Sequence, residues 1–336
     1  MTGTLPTLNI IGAGAVGKSL GRAFFVAKAF DIQAIASRTQ QSASDAVAFI
    51  GAGKVTLLEN LPRANVTMIT TSDDAIVDTA INMVANNIDV NDTTVFHTSG
   101  GQGAALLMSL GIRGAHIASV HPFKTFPEPE FAARGMSGVI CGTEGDENAV
   151  NTVSKAFTLL GAKTAPIDPK SKMLYHAGAV FACNYLTVLL DARKARGLMK
   201  MDEARATVRQ FQHQGKDIKN APSDSIGQLL VTATRACEHA GMKSNLAVQA
   251  VGRIAAETLD NIDKFGTVRA FTGPIARGSV EFVERQIDAV KGWNAKAADL
   301  YLSAAEAAIF LSYRKRVASN KSLERLQKII RAASPL

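Results

Sequence analysis

The sequence is poor in cysteine, tryptophan and metal-binding patterns. Its 336 residues include three cysteines, one tryptophan and 6% aromatic residues in all. Cys141, Cys183 and Cys237 lie far apart and form no CxxC pair, so we expect buried free thiols and a reducing, cytoplasmic location. The six histidines show no HxxxH spacing, and no metal site is predicted.

Signals for a membrane or for nucleic acid are scarce as well. The apolar stretch near the N-terminus is broken by Gly12, Gly14 and Gly17, so we expect neither a signal peptide nor a membrane span. The net charge is +8, but residues 314–331 hold seven basic side chains against one acidic, which leaves the remainder near neutral. We interpret this segment as a solvated helix face, with an anion-binding tail as the alternative, and predict no nucleic-acid partner.

The first half of the chain alternates short apolar runs with helical patterns, which is typical of a parallel sheet with crossover helices. The predicted strands are Leu8–Ile11, Ile32–Ala36, Val66–Thr70, Thr93–His97, His116–Val120, Gly138–Cys141 and Lys163–Ile167. The predicted helices between them are Val16–Lys28, Gln40–Ile50, Ala75–Ala85, Gly103–Leu110 and Glu147–Leu160.

Beyond Asp168 only helical patterns follow. They cover Lys170–Gly197, Met201–Gln214, Asp224–Ala240, Ser244–Asn261, Ser279–Lys291, Ala295–Arg316 and Ser322–Ala332. The sequence thus predicts an α/β protein, with an N-terminal Rossmann domain and a mostly parallel sheet over residues 1–166, and an all-α domain over residues 167–336. The run Ala177–Leu190 is apolar nearly all round, so we expect it at the centre of its domain or in a subunit interface.

A glycine-rich turn directly follows the first predicted strand and opens a helix. It reads Gly12-Ala13-Gly14-Ala15-Val16-Gly17, the spacing of a dinucleotide-binding loop in its required context. Gly12 permits the tight turn, Gly14 lets the backbone approach a pyrophosphate, and Gly17 lets helix and strand pack closely. A glycine turn without a ligand is the alternative.

The end of the second predicted strand bears on the choice of cofactor. NAD enzymes usually place a carboxylate there for the ribose 2′-hydroxyl, whereas this chain has Ser37 and Arg38. A hydroxyl and a guanidinium suit a 2′-phosphate, so NADP(H) is favoured over NAD(H). Alternatively, Arg38 stacks on the adenine or caps the helix that begins at Gln40.

Two further loops leave predicted strand ends, where ligands of open α/β sheets bind. Thr71 and Ser72 follow one strand and Ser99 follows the next, which makes them candidates for contact with the ribose and nicotinamide. Asp73 or Asp74 is expected to cap the helix beginning near Ala75.

Three polar clusters are candidates for the chemistry. His121, Lys124 and Thr125 come just after a predicted strand, Lys172, His176 and Asn184 recur at multiples of four along an apolar helix, and Arg277 lies in a turn-rich segment, Thr272–Gly278. Buried polar groups need partners, which are either other protein groups or a bound substrate. Arg277 either binds a substrate carboxylate or phosphate or ties its own loop to a helix.

With these residues in view, the layout resembles the superfamily of 6-phosphogluconate dehydrogenase, ketopantoate reductase, pyrroline-5-carboxylate reductase and prephenate dehydrogenase. More closely, it resembles a family of Rossmann-like predicted NADP-dependent oxidoreductases with a C-terminal domain of unknown function. The matching stretches are Gly12–Gly17, His121–Phe126, Ser137–Ile140 with Glu144–Asp146, Tyr175–Asn184 and Thr272–Gly278.

The resemblance implies an NADP-binding domain, a helical domain that forms a homodimer, and an active site in the cleft between them. It also implies proton transfer by a lysine followed four residues later by asparagine. Lys172 matches the lysine, but His176 stands in the asparagine position.

We therefore expect an NADP(H)-dependent oxidoreductase acting on a small carbonyl, imine, hydroxy acid or amino acid, since the cofactor carries the difficult chemistry. Lys172 is the expected proton donor, with His176 as its partner or replacement, and His121 is a further candidate catalytic residue. Lys124, Thr125, Asn184 and Arg277 are expected to bind substrate. A non-catalytic NADP(H) sensor or scaffold is the alternative.

Overall fold

A computed structural model describes residues 4–198, 200–214 and 223–334. Its contacts group the chain into two compact units. One unit contains the residues up to Pro122 together with Glu128–Lys170, and the other contains Phe123–Pro127 and the residues from Ser171 onward. The domain border at residue 166 stays a prediction.

The first unit is built on one eight-stranded sheet with the order β3-β2-β1-β4-β5-β6-β7-β8. Neighbouring strands run parallel, apart from the antiparallel pair β6 and β7. The predicted α/β class with a mostly parallel sheet is confirmed. The strands are β1 (Thr7–Ile11), β2 (Asp31–Ala36), β3 (Lys54–Thr56), β4 (Val66–Ile69), β5 (Thr94–His97), β6 (His116–Pro122), β7 (Ile140–Gly145) and β8 (Lys163–Pro166).

Helices cover both faces of this sheet, because alternate residues of the central strands point to opposite sides. In β1, Leu8 and Ile10 join one apolar core, whereas Ile11 joins the other. Burying side chains of this size stabilises the fold by roughly 1.5–3 kcal/mol each. The helices are α1 (Ala15–Val26), α2 (Gln40–Ile50), α3 (Ile76–Ala85), α4 (Met108–Gly111), α5 (Pro129–Arg134) and α6 (Glu147–Leu159).

The strand order places a topological switch point beside β1. The chain moves outward from β1 through β2 to β3 and then returns to the other side of β1 as β4. Ligands of open α/β sheets bind at the carboxyl ends of the strands flanking such a point. The loops that follow β1, β2 and β4 therefore occupy the expected nucleotide position.

Every secondary-structure element of the second unit is a helix, as far as the structure describes its residues. One continuous helical stretch among the described residues, Pro169–Ala195, is long and apolar enough to cross a membrane by length and composition. However, 83% of its most apolar 18-residue part is buried inside the protein. It packs against other helices of its own unit, as a core helix does. The helices are α7 (Lys172–Ala179), a π-helical segment (Val180–Tyr185), α8 (Leu186–Ala195), α9 (Met201–Gln214), α10 (Ser225–His239), α11 (Ser244–Ala270), α12 (Gly273–Arg277), α13 (Val280–Trp293), α14 (Ala295–Lys315) and α15 (Asn320–Ala333).

Several elements differ from the sequence prediction for local reasons. Gly138 has a left-handed φ of 74°, so β7 begins at Ile140 rather than at Gly138. The helix predicted to end at Asn261 continues to Ala270 through a kink at Gly266. The segment predicted as a turn around Arg277 forms the short helix α12, with Pro274 in its first turn, a position that proline tolerates.

Candidate functional site

The loop after β1 has the geometry of a dinucleotide-binding turn. Gly12 adopts a φ of +105°, and its N–H donates to the carbonyl of Ala36 over 2.8 Å. A Cβ at Gly12 would lie 2.6 Å from the backbone carbon of Thr70. Only glycine fits this conformation and this close approach.

Gly17 brings helix α1 against the same loop. A Cβ at Gly17 would lie 2.1 Å from the carbonyl oxygen of Gly12 and 2.6 Å from the hydroxyl of Thr70. That hydroxyl itself donates to the Gly12 carbonyl over 2.7 Å. The helix can therefore approach the strand this closely only with glycine at position 17.

Gly14 differs, because the space above it is open. It is exposed, its φ is −77°, and no atom lies within 4 Å of an added Cβ. Gly14 is the N-cap of α1, and no side chain caps the N–H groups of the first turn, which includes Ala15 and Val16. Uncapped amides and open space at the positive end of a helix fit a pyrophosphate. Ala13 is buried beneath the loop.

Ser37 and Arg38 follow directly after β2. Arg38 is exposed, and its guanidinium forms no hydrogen bond or ion pair with any residue that the structure describes. Helix α2 is capped instead by Thr39, whose Oγ1 accepts from the Ser42 N–H over 3.2 Å. Arg38 is thus not the helix cap, and its charge is available to a ligand.

Polar groups also follow β4 and β5. The Thr71 hydroxyl is buried without a hydrogen-bond partner among the described residues, and Ser72 beside it is exposed. Ser99 donates to a carboxylate oxygen of Asp73 over 2.5 Å. This hydrogen bond ties Ser99 to the loop that follows β4. The expectation that Asp73 or Asp74 caps α3 is wrong, since the N-cap of α3 is Ala75 and no side chain caps it.

His97, at the end of β5, holds the following loop in shape. Its Nδ1 accepts from the Ser99 N–H over 3.2 Å, and its Nε2 lies 3.0 Å from the carbonyl of Gly103. A carbonyl can only accept, so His97 carries a proton on Nε2. We assign His97 a structural role.

In the second unit, Lys124 and Thr125 contact helix α11. The buried Lys124 ammonium pairs with Glu257, whose Oε1 also accepts from the Thr125 hydroxyl over 3.2 Å. Asn261, one turn further along α11, donates to the Thr125 hydroxyl over 3.0 Å. These two predicted substrate-binding residues therefore have protein partners.

Lys172 and His176 lie one turn apart on α7. Lys172 is 1% exposed, which is rare for a lysine, and His176 is partly buried. The His176 ring packs edge-on against Phe282, with ring centroids 5.1 Å apart. Its Nδ1 lies 3.0 Å from Nε2 of Gln286.

The α-helical spacing of the sequence predicts that Asn184 shares the helix face of Lys172 and His176. Asn184 lies instead in the π-helical segment, which has more residues per turn, so the spacing of four does not extend to it. Its amide donates to the carbonyl of Thr272 over 2.5 Å, whereas His176 contacts α13. Arg277 is the exposed last residue of α12.

His121 lies within β6 rather than beyond it. Its register partner is Gly142 of the antiparallel strand β7, and its side chain is partly buried. Proline follows it as the last residue of the strand. The strand extends two residues beyond its predicted end at Val120, because His121 and Pro122 pair with β7.

Three residues of the second unit were missed by sequence analysis. Glu257 lies 133 positions from its partner Lys124, and no local pattern links them. Gln286 and Tyr301 are fully buried and hydrogen bonded to each other over 2.7 Å. Gln286 could have been noticed as an amide among the apolar residues Phe282, Val283, Ile287 and Val290 of α13.

The basic C-terminal segment is held by ion pairs. Arg314 pairs with Asp191, Arg325 with Glu281 and Arg331 with Glu306. These contacts agree with the interpretation as a solvated helix face.

Two domain-family models match the chain. A model for a Rossmann-like domain matches residues 4–122, so the protein has a Rossmann-like domain at its N-terminal end. A second model, for a domain of unknown function (DUF2520), matches residues 139–211 and 223–308. The chain therefore belongs with proteins that combine a Rossmann-like domain and a DUF2520 domain, as the resemblance in sequence predicts.

Solved structures give a broader likeness. A candidate NADP oxidoreductase from Bacteroides fragilis is 15% identical, with a TM-score of 0.49 over 90% of this chain and 98% of that one. A 3-hydroxyisobutyrate dehydrogenase from Mycobacterium tuberculosis is 13% identical, with a TM-score of 0.47 over 80% and 98%. An imine reductase from Bacillus cereus is 17% identical, with a TM-score of 0.44 over 77% and 99%. No curated protein matches the chain.

Proposed function

We propose that this protein is an NADP(H)-dependent oxidoreductase that acts on a small carbonyl or imine, or on the corresponding hydroxy or amino acid. The observation that carries the proposal is the loop after β1, where Gly12 and Gly17 are required by packing but Gly14 is not. The space that remains at Gly14, facing uncapped amides of α1, suits a dinucleotide pyrophosphate.

The preference for NADP(H) rests on Arg38. An exposed guanidinium without a protein partner, placed where NAD enzymes usually have a carboxylate, can bind a 2′-phosphate through charge-assisted hydrogen bonds. Ser37 beside it offers a hydroxyl to the same group. The unpartnered hydroxyl of Thr71 also lies at this edge of the sheet, where a ribose or phosphate oxygen would satisfy it.

When bound, the nicotinamide supplies or accepts a hydride at C4. The chain's own task is to hold the substrate and to supply a proton. Lys172, a buried amine at the start of α7, is the proposed proton donor at Nζ, and His176 is proposed to contact the substrate from the same helix face. We also propose a homodimer in the cytoplasm, a compartment that suits the three buried free cysteines.

Calorimetric titration with NADPH and with NADH tests the cofactor. We expect tighter binding of NADPH, and we expect Arg38→Ala to weaken NADPH binding by about tenfold or more while leaving NADH unchanged, because a charge-assisted bond contributes about 1.5–3 kcal/mol. Arg113→Ala is the matched control. Arg113 is also exposed, but it lies before the amino end of β6, whereas the proposed nucleotide position is at the carboxyl ends of the strands. Failure of both nucleotides to bind would refute the proposal.

Turnover is tested next by following NADPH absorbance with small carbonyl and imine substrates. Lys172→Ala is expected to abolish turnover while leaving NADPH affinity unchanged. NADPH binding without turnover of any substrate would favour the non-catalytic sensor.

A further inference from the structure

The side-chain amide of Gln286 is the centre of a buried polar network in the second unit. Gln286 is 0% exposed, and its oxygen accepts from the hydroxyl of Tyr301 over 2.7 Å. Its nitrogen lies 3.0 Å from Nδ1 of His176 and 3.5 Å from the carbonyl oxygen of Met173. All the polar atoms of this amide therefore have partners inside the protein.

The orientation of the amide is fixed by Met173. A backbone carbonyl can only accept a hydrogen bond, so the group facing it must be the NH₂ of Gln286. Turning the amide over would set the Gln286 oxygen against the Met173 carbonyl oxygen at a buried position, at the cost of an unsatisfied buried acceptor. The NH₂ therefore also faces His176, and the oxygen faces Tyr301.

Tyr301 favours the same orientation of the Gln286 amide, because its hydroxyl contacts the amide oxygen. Burial raises the pKa of its phenol above the ordinary value, so the hydroxyl keeps its proton throughout the neutral range. The Tyr301 ring is itself fixed, because it packs edge-on against Tyr185 with ring centroids 5.1 Å apart. A protonated phenol in a fixed place offers its hydrogen to the oxygen of Gln286.

His176 must accept a hydrogen bond at Nδ1 as a result. A neutral imidazole that accepts at one nitrogen carries its proton on the other, which here is Nε2. Phe282 contacts the ring edge-on and opposes its rotation. Any group that meets Nε2 must therefore be a hydrogen-bond acceptor.

We propose that Gln286 and Tyr301 are positioning residues that hold His176 as the neutral Nε2–H tautomer. Resting on the proposed function, this makes His176 a hydrogen-bond donor to a carbonyl or carboxylate oxygen of the substrate. It also means that His176 does not replace Lys172 as the proton donor, because a neutral imidazole N–H is a very weak acid. The inference narrows the substrate to one that presents an oxygen acceptor to this residue.

The tautomer can be read directly by two-bond ¹H–¹⁵N NMR of protein labelled with ¹⁵N-histidine, at pH 7 and without cofactor. His176 is assigned by the signal that disappears in His176→Asn, and the other histidines serve as internal references. We expect the pattern of a neutral ring protonated at Nε2. A ring protonated at Nδ1, or at both nitrogens, would overturn the proposal.

Variants then test the cause. Folded Gln286→Ala is expected to lose the single-tautomer pattern, and Gln228→Ala, which alters an exposed glutamine of α10, is expected to retain it. An unchanged His176 pattern in Gln286→Ala would show that the amide does not set the tautomer. Because the spectrum needs neither cofactor nor substrate, failure of NADPH binding and failure of this inference are distinguishable.

Discussion

The side chain of Asn184 lies directly against the backbone of Gly273. Gly273 has a φ of +93°, and a Cβ there would lie 2.6 Å from the amide nitrogen of Asn184. The same nitrogen donates to the carbonyl of the preceding residue, Thr272, over 2.5 Å. The π-helical segment and the start of α12 are thus joined through one amide.

This contact predicts a large effect of a small substitution. Gly273→Ala combines a left-handed φ with a steric clash, and we expect it to lower the free energy of unfolding by about 2 kcal/mol or more. Gly292→Ala is the control, since Gly292 lies in α13 with nothing within 4 Å of an added Cβ. It should raise stability by about 0.5 kcal/mol. Urea denaturation measures both, and equal effects would contradict the assigned geometry.

The glycine loop gives a pair of variants that separates folding from binding. Gly17→Ala should lower the melting temperature, because its Cβ would lie 2.1 Å from a carbonyl oxygen. Gly14→Ala should leave the melting temperature unchanged, because its Cβ meets open space, yet weaken NADPH binding by about tenfold or more, a loss of about 1.4 kcal/mol. Unaltered NADPH affinity in Gly14→Ala would place the pyrophosphate elsewhere.

The pair of Lys124 and Glu257 is predicted to be energetically coupled. The side chains are 4% and 20% exposed, so removing one partner leaves a poorly solvated charge. We expect Lys124→Met or Glu257→Gln alone to cost about 3 kcal/mol, and the double variant to cost less than the two together. The exposed pair Lys200 and Glu203 is the control, and its loss should have no measurable effect on stability. Additive costs for the buried pair would argue against coupling.

The three cysteines are predicted to be inert in the folded protein. Burial raises the pKa of Cys183 to about 12, and it raises the pKa of Cys141 and of Cys237 further. The reactive species is the thiolate, which is scarce well below these values, so iodoacetamide at pH 8 should leave native protein unlabelled. In guanidinium all three thiols should react, as mass spectrometry would show. The raised pKa also means that these thiols stabilise the fold at neutral pH, and that this contribution declines above the ordinary thiol pKa. Rapid labelling of native Cys183 would contradict its burial.

Local patterns in the sequence were sufficient for the glycine loop and for most strands. Gly12 and Gly17 act through neighbours that the motif itself defines, so their roles could be read before the fold was known. By contrast, β3 has three residues, Lys54 and Val55 are exposed, and no alternation marks it. The direction of β7 depends on pairing with β6, which apolar content does not encode.

The polar partners in the second unit could not be predicted from the sequence either, because they depend on contacts between distant positions. Glu257 and Gln286 contact residues more than a hundred positions away, and only the folded chain brings them together. The spacing-based prediction for Asn184 was wrong, because the composition of the π-helical segment does not indicate that its turns are wider.

That wider turn has a consequence for chain length. In an α-helix each residue advances the direction of the side chain by about 100°. A π-helix holds more residues per turn than an α-helix, so deleting one codon within Val180–Tyr185 would let the helix close into the regular α-form and would remove the wider turn in which Asn184 contacts Thr272. The direction of the Asn184 amide therefore depends on the number of residues in this segment as well as on their identity.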